Sequence, residues 1–102
     1  MRAKRADRNQ PEIVKALRQY GCSVLHTHTM GEGFPDLIVG HPHSRRIGFI
    51  EIKDGLKPPS ARKLTKPQKL FWTEWAEFPM AVVTDVEGAL RFARMLAFGD
   101  DK

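Results

Sequence analysis

The sequence predicts an α/β fold in which helices flank one mixed central sheet. Three observations predict it: helical periodicity near both ends of the chain, three β-branched segments between them, and a further helix followed by a short apolar segment. A central hairpin and a helical crossover place the strands in one sheet. The 102 residues suit a single domain at 1–102, with a core at about 9–97 and a basic N-terminal arm at 1–8.

The first half of the chain predicts one helix and three strands. Ile13, Val14 and Leu17 stand at helical spacing, and Gly21 ends the predicted helix, which begins near Asn9. Strands follow at CSVLHTHT (22–29), DLIVG (36–40) and IGFIEIK (47–53), separated by turn-forming segments. We expect the last two strands to form the hairpin.

A basic loop and an aromatic helix come next. Residues 54–66 contain adjacent prolines and little periodicity, which predicts an exposed loop. Thr65 is a good N-cap for a helix that ends before Pro79. The predicted core stripe of this helix consists of Phe71, Trp75 and Phe78.

A strand and a helix complete the predicted fold. MAVVT (80–84) is short and apolar, as expected for a buried strand. Thr84 and Glu87 have the spacing of a capping box, which predicts that a helix starts there. This helix is expected to bury Val86, Ala89, Leu90, Ala93 and Leu96.

The charge balance favours a polyanionic partner. The chain has 17 Lys and Arg against 12 Asp and Glu, a net charge of +5, so nucleic acid is the first expectation. The sequence contains no run of about 18 apolar residues, so no membrane span is predicted. Without a secretory signal we expect a cytoplasmic protein, bacterial or in the host cell of a virus. A single cysteine, Cys22, allows no intramolecular disulfide.

The hairpin brings two acidic residues together. A turn centred between His43 and Ser44 would place Ile38 opposite Phe49, and Asp36 opposite Glu51. Like charges facing each other destabilise a sheet, so a divalent cation between them is expected.

Oxygen ligands of this kind suit Mg²⁺. The carboxylates of Asp36 and Glu51, with the backbone carbonyl of Ile52, would form part of an octahedral shell. Lys53 lies on the same strand face as Glu51 and could position or deprotonate a water, or stabilise a pentacovalent phosphate.

The residues GFPD, the hairpin and EIK together resemble the signature of the PD-(D/E)xK nucleases. Over about residues 9–85 the chain is similar to the virus-type replication-repair nuclease (VRR-Nuc) domain. The resemblance implies a restriction-endonuclease-like αβββαβ core and Mg²⁺- or Mn²⁺-dependent hydrolysis of phosphodiester bonds. It places Glu12, Asp36, Glu51, Lys53 and Gln68 on the active-site positions of the family, with Glu12 reaching the metal through water.

The substrate implied by the resemblance is DNA with a branch, flap or junction, met in replication, repair or recombination. Such an endo- or exonuclease would act as a homodimer whose two sites address two strands. Phosphate contacts are expected to dominate binding. The residues expected to make them are Lys57, Arg62, Lys63, Lys66 and Lys69.

Several alternatives stay open at this stage. Glu12 and Gln68 have capping-box spacing from Asn9 and Thr65, and this could be their role. Cys22, His26 and His28 share a predicted strand face and could bind zinc, although a fourth ligand is not evident. The chain could instead be a non-catalytic nucleic-acid-binding accessory module, or a protein interaction domain that uses its aromatic helix.

Overall fold

The computed structural model describes residues 6–99, in which a four-stranded mixed sheet and three α-helices form an α/β fold. The first five residues of the predicted basic arm lie outside this range. Within it, no helix is both long and apolar enough to cross a membrane. The elements are α1 (Gln10–Tyr20), β1 (Ser23–His26), β2 (Leu37–His41), β3 (Arg46–Ile52), α2 (Lys66–Glu74), β4 (Met80–Val83) and α3 (Val86–Phe98).

The sheet has the strand order β1-β2-β3-β4. The first three strands pair antiparallel, and β4 pairs parallel with β3 through the crossover that contains α2. The predicted hairpin register is confirmed, because Ile38 pairs with Phe49. Continued one residue beyond the start of β2, this register places Asp36 opposite Glu51.

One face of the sheet carries the aliphatic core. Side chains alternate along a strand, so Leu37 and Val39 of β2 join Ile50 and Ile52 of β3 on this face. From the helices come Ile13, Val14, Leu17, Ala89, Phe92, Ala93 and Leu96. The core of α3 differs from the prediction in part, since Phe92 is buried whereas Leu90 is only half-buried.

The opposite face carries an aromatic layer. The ring of Phe71 on α2 packs edge-on against Phe34 and Phe49, and it stacks on Trp75 with ring centroids 5.4 Å apart. The predicted core stripe is wrong for two of its members, because Trp75 and Phe78 are 36% and 53% exposed. The reason is that α2 ends at Glu74 and no described element covers the outer side of the layer.

Several element boundaries differ from the predictions. The first strand ends at His26, and a 3₁₀ turn at His28–Met30 takes the place of its predicted end. A second 3₁₀ turn, Pro59–Arg62, lies inside the predicted loop. The N-cap of α3 is Asp85, whose side chain accepts a hydrogen bond from Gly88 N at 2.8 Å, so the predicted cap at Thr84 is wrong by one residue.

Gly48 provides a test of how tightly the core is packed. A Cβ at this position of β3 would lie 2.7 Å from the ring of Phe92 and 2.8 Å from the carbonyl oxygen of Pro79. We expect Gly48→Ala to lower the free energy of unfolding by about 1–3 kcal/mol, as overpacking usually does. Urea denaturation measures this change.

Gly40→Ala on the neighbouring strand is the matched control. Its Cβ would meet only Arg46 O, at 4.0 Å. This variant should be neutral or up to about 1 kcal/mol more stable, because alanine reduces the entropy of the unfolded chain. Equal destabilisation by the two substitutions would contradict the packing account.

Candidate active site

Asp36 lies where the pairing of β2 with β3 ends. The preceding Pro35 has no N–H to continue the ladder. The Asp36 side chain provides a hydrogen bond at this point instead, because its Oδ2 accepts one from Ile52 N at 2.7 Å. Thr27 N also donates to Asp36 O at 2.8 Å. The carboxylate is therefore buried, 2% exposed, and fixed beside the end of β3.

Glu51 lies next to this position on β3, with its side chain on the face opposite the aliphatic core. It is 1% exposed. Its Oε2 accepts a hydrogen bond from Gln68 Nε2 at 2.8 Å and lies 3.5 Å from Lys53 Nζ. The two-residue spacing places the acid and the amine on the same face, as predicted.

Gln68 connects α2 to this pair. Its Oε1 accepts hydrogen bonds from Lys53 Nζ at 3.0 Å and from Thr65 N at 2.8 Å, and Gln68 N donates to Thr65 Oγ1. The predicted capping box is therefore present, and the same amide also holds the acid and the amine. Gln68 therefore both caps α2 and contacts the acid and the amine, the two roles that the sequence left as alternatives.

The turn before Asp36 fixes the distance between α2 and the sheet. Gly33 has a positive φ of 81°, and its Cα lies against the backbone of Pro67, so a Cβ has no room there. This close approach brings the first turn of α2 over the end of β3. Gln68 reaches Glu51 as a result.

The cluster brings together two carboxyl groups, from Asp36 and Glu51, and the amine of Lys53. Carboxylate oxygens are the ligands that hard divalent cations prefer. The chemistry of these side chains is therefore compatible with a cation.

Glu12 does not join this network. It is exposed on the first turn of α1, and among residues 6–99 it has no hydrogen bond or ion pair. The predicted capping box with Asn9 is absent too, because the Asn9 side chain makes no cap hydrogen bond. Over the described part of the chain, no three His, Cys, Asp or Glu side chains are grouped so as to hold a metal ion.

Asn9 has a role that the sequence did not indicate. Its Nδ2 donates to Lys53 O at 3.2 Å and to Thr84 O at 2.9 Å. These bonds tie the start of α1 to the ends of β3 and β4. No local pattern could have revealed contacts between residues so far apart in the chain.

Asp54 anchors the chain just after Lys53. Its Oδ1 accepts a hydrogen bond from Leu56 N at 2.9 Å, and its Oδ2 accepts one from Arg8 Nε at 3.0 Å. The Leu56 N–H bond, with a smaller effect of the Arg8 charge, lowers the pKa of Asp54 although its burial acts in the opposite direction. An Asp-Gly pair is a turn signal, so this anchor could have been predicted.

The histidines of the zinc alternative contact a buried glutamine. Gln10 Nε2 lies 2.9 Å from His26 Nδ1 and 3.2 Å from His28 Nδ1. Cys22 is buried, and burial raises the pKa of its thiol, which disfavours the thiolate that binds zinc.

The predicted phosphate-binding residues lie on α2 or in the segment that precedes it. Four of them are exposed and Arg62 is half-buried. Lys66 and Lys69 flank Gln68 on α2, and the others precede this helix. The exposed four are Lys57, Lys63, Lys66 and Lys69.

Comparison of the chain with protein-family models, with curated proteins and with solved structures found no match.

The lowered pKa of Asp54 predicts how the stability of the fold depends on pH. Because its pKa is lowered on folding, the carboxylate stabilises the protein above the ordinary aspartate pKa of about 3.9. This contribution is lost as the pH falls through the lower pKa of the folded state. Asp54→Asn keeps an oxygen for Leu56 N but loses the charge that pairs with Arg8. We expect the variant to be less stable than the wild type at neutral pH, and the difference to vanish in acid.

Urea denaturation in EDTA from about pH 2 to 7 measures this difference across the relevant range. Asp85→Asn is the control, because it exchanges one good N-cap for another. A stability difference for Asp54→Asn that stays constant over the whole range would contradict the prediction.

Proposed function

We propose that the chain is a metal-dependent nuclease of the PD-(D/E)xK class, related to the VRR-Nuc domain, that hydrolyses phosphodiester bonds in DNA. The observation that carries the proposal is the buried pair Asp36 and Glu51 at the end of adjacent strands, with Lys53 beside Glu51. The order helix, three strands, helix, strand, helix supports a restriction-endonuclease-like αβββαβ core.

The donor set fits Mg²⁺ or Mn²⁺. Carboxylate and carbonyl oxygens are the ligands these ions prefer. The N–H and C=O of one strand residue point toward the same neighbour, so the carbonyl of Ile52 is on the side of Asp36, which accepts the Ile52 N–H. Asp36, Glu51 and the Ile52 carbonyl would hold the ion, with Glu12 acting through a water. When bound, the ion supplies Lewis-acid chemistry and lowers the pKa of a water.

The other residues of the cluster would position Lys53 for its role in hydrolysis. Lys53 has three N–H donors, and Gln68 and Glu51 orient its ammonium from one side. The ammonium can then donate to the attacking water or to a phosphate oxygen, where it stabilises the charge of the pentacovalent state. Because the cluster is buried, these interactions are stronger than they would be in bulk water.

The substrate that fits this arrangement is DNA recognised by shape. With a net charge of +5 the chain can contact phosphates, and such contacts carry no direct information about base sequence. The basic residues around α2 lie beside Gln68, where a DNA backbone would approach the cluster. We infer a preference for flapped, branched or four-way DNA in replication, repair or recombination. The enzyme would be a cytoplasmic homodimer with one active site per subunit.

Asp36→Asn should abolish cleavage, because the amide can still accept the Ile52 N–H but supplies no charge for the metal. Lys53→Ala should also abolish it. The assay is incubation of the purified chain with linear, flapped and four-way DNA in Mg²⁺, Mn²⁺ or EDTA. Mn²⁺ should raise the melting temperature of the wild type and not that of Asp36→Asn, because only a ligand that binds the folded state stabilises it.

Asp85→Asn serves as the cleavage control and should retain full activity. Full activity of purified Asp36→Asn or Lys53→Ala would refute the assignment. Salt-sensitive binding to DNA without hydrolysis in any metal would instead identify a non-catalytic accessory module.

Glu12→Gln tests whether Glu12 acts on the metal. A group that acts on the metal through water is expected to contribute about 10–100-fold in metal affinity or activity. We therefore expect cleavage by this variant to fall within that range, measured as kcat/KM on the best substrate. Activity equal to that of the wild type would remove Glu12 from the site, and complete loss would make it a direct ligand.

A further inference from the structure

A groove runs between α1 and the edge strand β1, and the core residue Val14 forms part of its wall. It encloses about 800 Å³. Three cationic side chains line it, Arg8, Lys15 and Arg18, against one acidic side chain, Asp7. The apolar side chains of Pro11, Val14 and Ala6 and the imidazoles of His26 and His28 also line this groove.

A buried amide lies behind the two imidazoles. Gln10 is 2% exposed, and one end of its side-chain amide contacts both His26 Nδ1 and His28 Nδ1. The other end, Oε1, is buried and has no hydrogen-bond partner within residues 6–99. The contacts of Nε2 hold both imidazole rings in place at the wall of the groove.

His28 is shared between this groove and a hollow at the N-terminus of α2. His28 lines the groove and also a smaller hollow of about 150 Å³ that contains Gln68. Between the two histidines, Thr27 bonds Asp36 O through its N–H and Pro35 O through its hydroxyl, at 2.8 Å in both cases. The segment that carries the two histidines is therefore hydrogen-bonded to the backbone at Asp36.

We propose that this groove binds a single nucleic-acid strand, an inference that rests on the proposed function. Lys15 and Arg18 match the charge of a phosphate backbone. The apolar floor and the imidazole rings suit the faces of unpaired bases, which a duplex hides. The occupant of the groove is then a polynucleotide with unpaired bases.

Lys15 is the residue to change, because its side chain is exposed on α1 and has no hydrogen bond or ion pair among the described residues. Binding of a fluorescent single-stranded oligonucleotide is measured by anisotropy in EDTA, where no metal-dependent hydrolysis takes place, at several salt concentrations. Losing one phosphate contact to a single strand lowers the slope of log K against log salt by about 0.7. We expect Lys15→Ala to bind more weakly and with this lower slope. Lys15→Arg should restore both the affinity and the slope.

Arg94→Ala is the matched control, since Arg94 is an exposed cation on α3. It should leave both the affinity and the slope unchanged. The proposal is overturned if Lys15→Ala binds like the wild type, if Arg94→Ala loses as much, or if only duplex binding is affected.

The two proposals fail separately. If Lys15→Ala weakens single-strand binding in EDTA but the wild type never cleaves DNA in Mg²⁺ or Mn²⁺, the groove stands and the nuclease is refuted. If the wild type cleaves and Lys15→Ala binds single strands normally, the nuclease stands and the groove is refuted.

Discussion

The hydrogen bonds of Gln68 to Glu51 and Lys53 are the interaction on which the site depends. A buried carboxylate is strongly unfavourable without partners, and here an amide and an ammonium both approach the same oxygen, Oε2. Gln68 also caps α2, so the helix cannot shift without breaking the contacts of the acid. Gln68 thus couples the position of α2 on the sheet to the positions of Glu51 and Lys53.

The two faces of the sheet differ in how completely they are covered. The face toward α1 and α3 is a closed aliphatic core and supplies most of the buried apolar area. The other face has only the short helix α2 over it, which leaves Trp75, Phe78 and Ile47 partly or largely exposed. A small domain that places charged groups at the end of a sheet has less apolar surface to bury around them.

Local and near-local patterns predicted much of the fold. Periodicity gave the order of the elements, and the centre of the hairpin turn was enough to place Asp36 opposite Glu51. The spacing of Glu51 and Lys53 on one strand fixed their common face without further information. The exposure of Trp75 and Phe78 was not predictable, because it depends on how far α2 extends and on what covers it.

Long-range polar contacts were beyond sequence reasoning. Asn9 bonds carbonyl oxygens that lie 44 and 75 residues further along the chain, and nothing near Asn9 indicates them. The residue looks like an ordinary N-cap, yet the side chain leaves the helix to join the ends of two strands.

Asp36, Gln68 and Asn9 each combine a backbone role with a position at the site. Asp36 replaces a missing ladder bond, Gln68 caps a helix, and Asn9 joins strand ends. Removing such a side chain perturbs the fold and the chemistry together, so a loss of activity alone cannot separate the two. For Asp36, an asparagine keeps the hydrogen-bonding shape and removes only the charge. It separates the two roles, because the bond from Ile52 N needs an acceptor whereas the proposed cation needs a carboxylate.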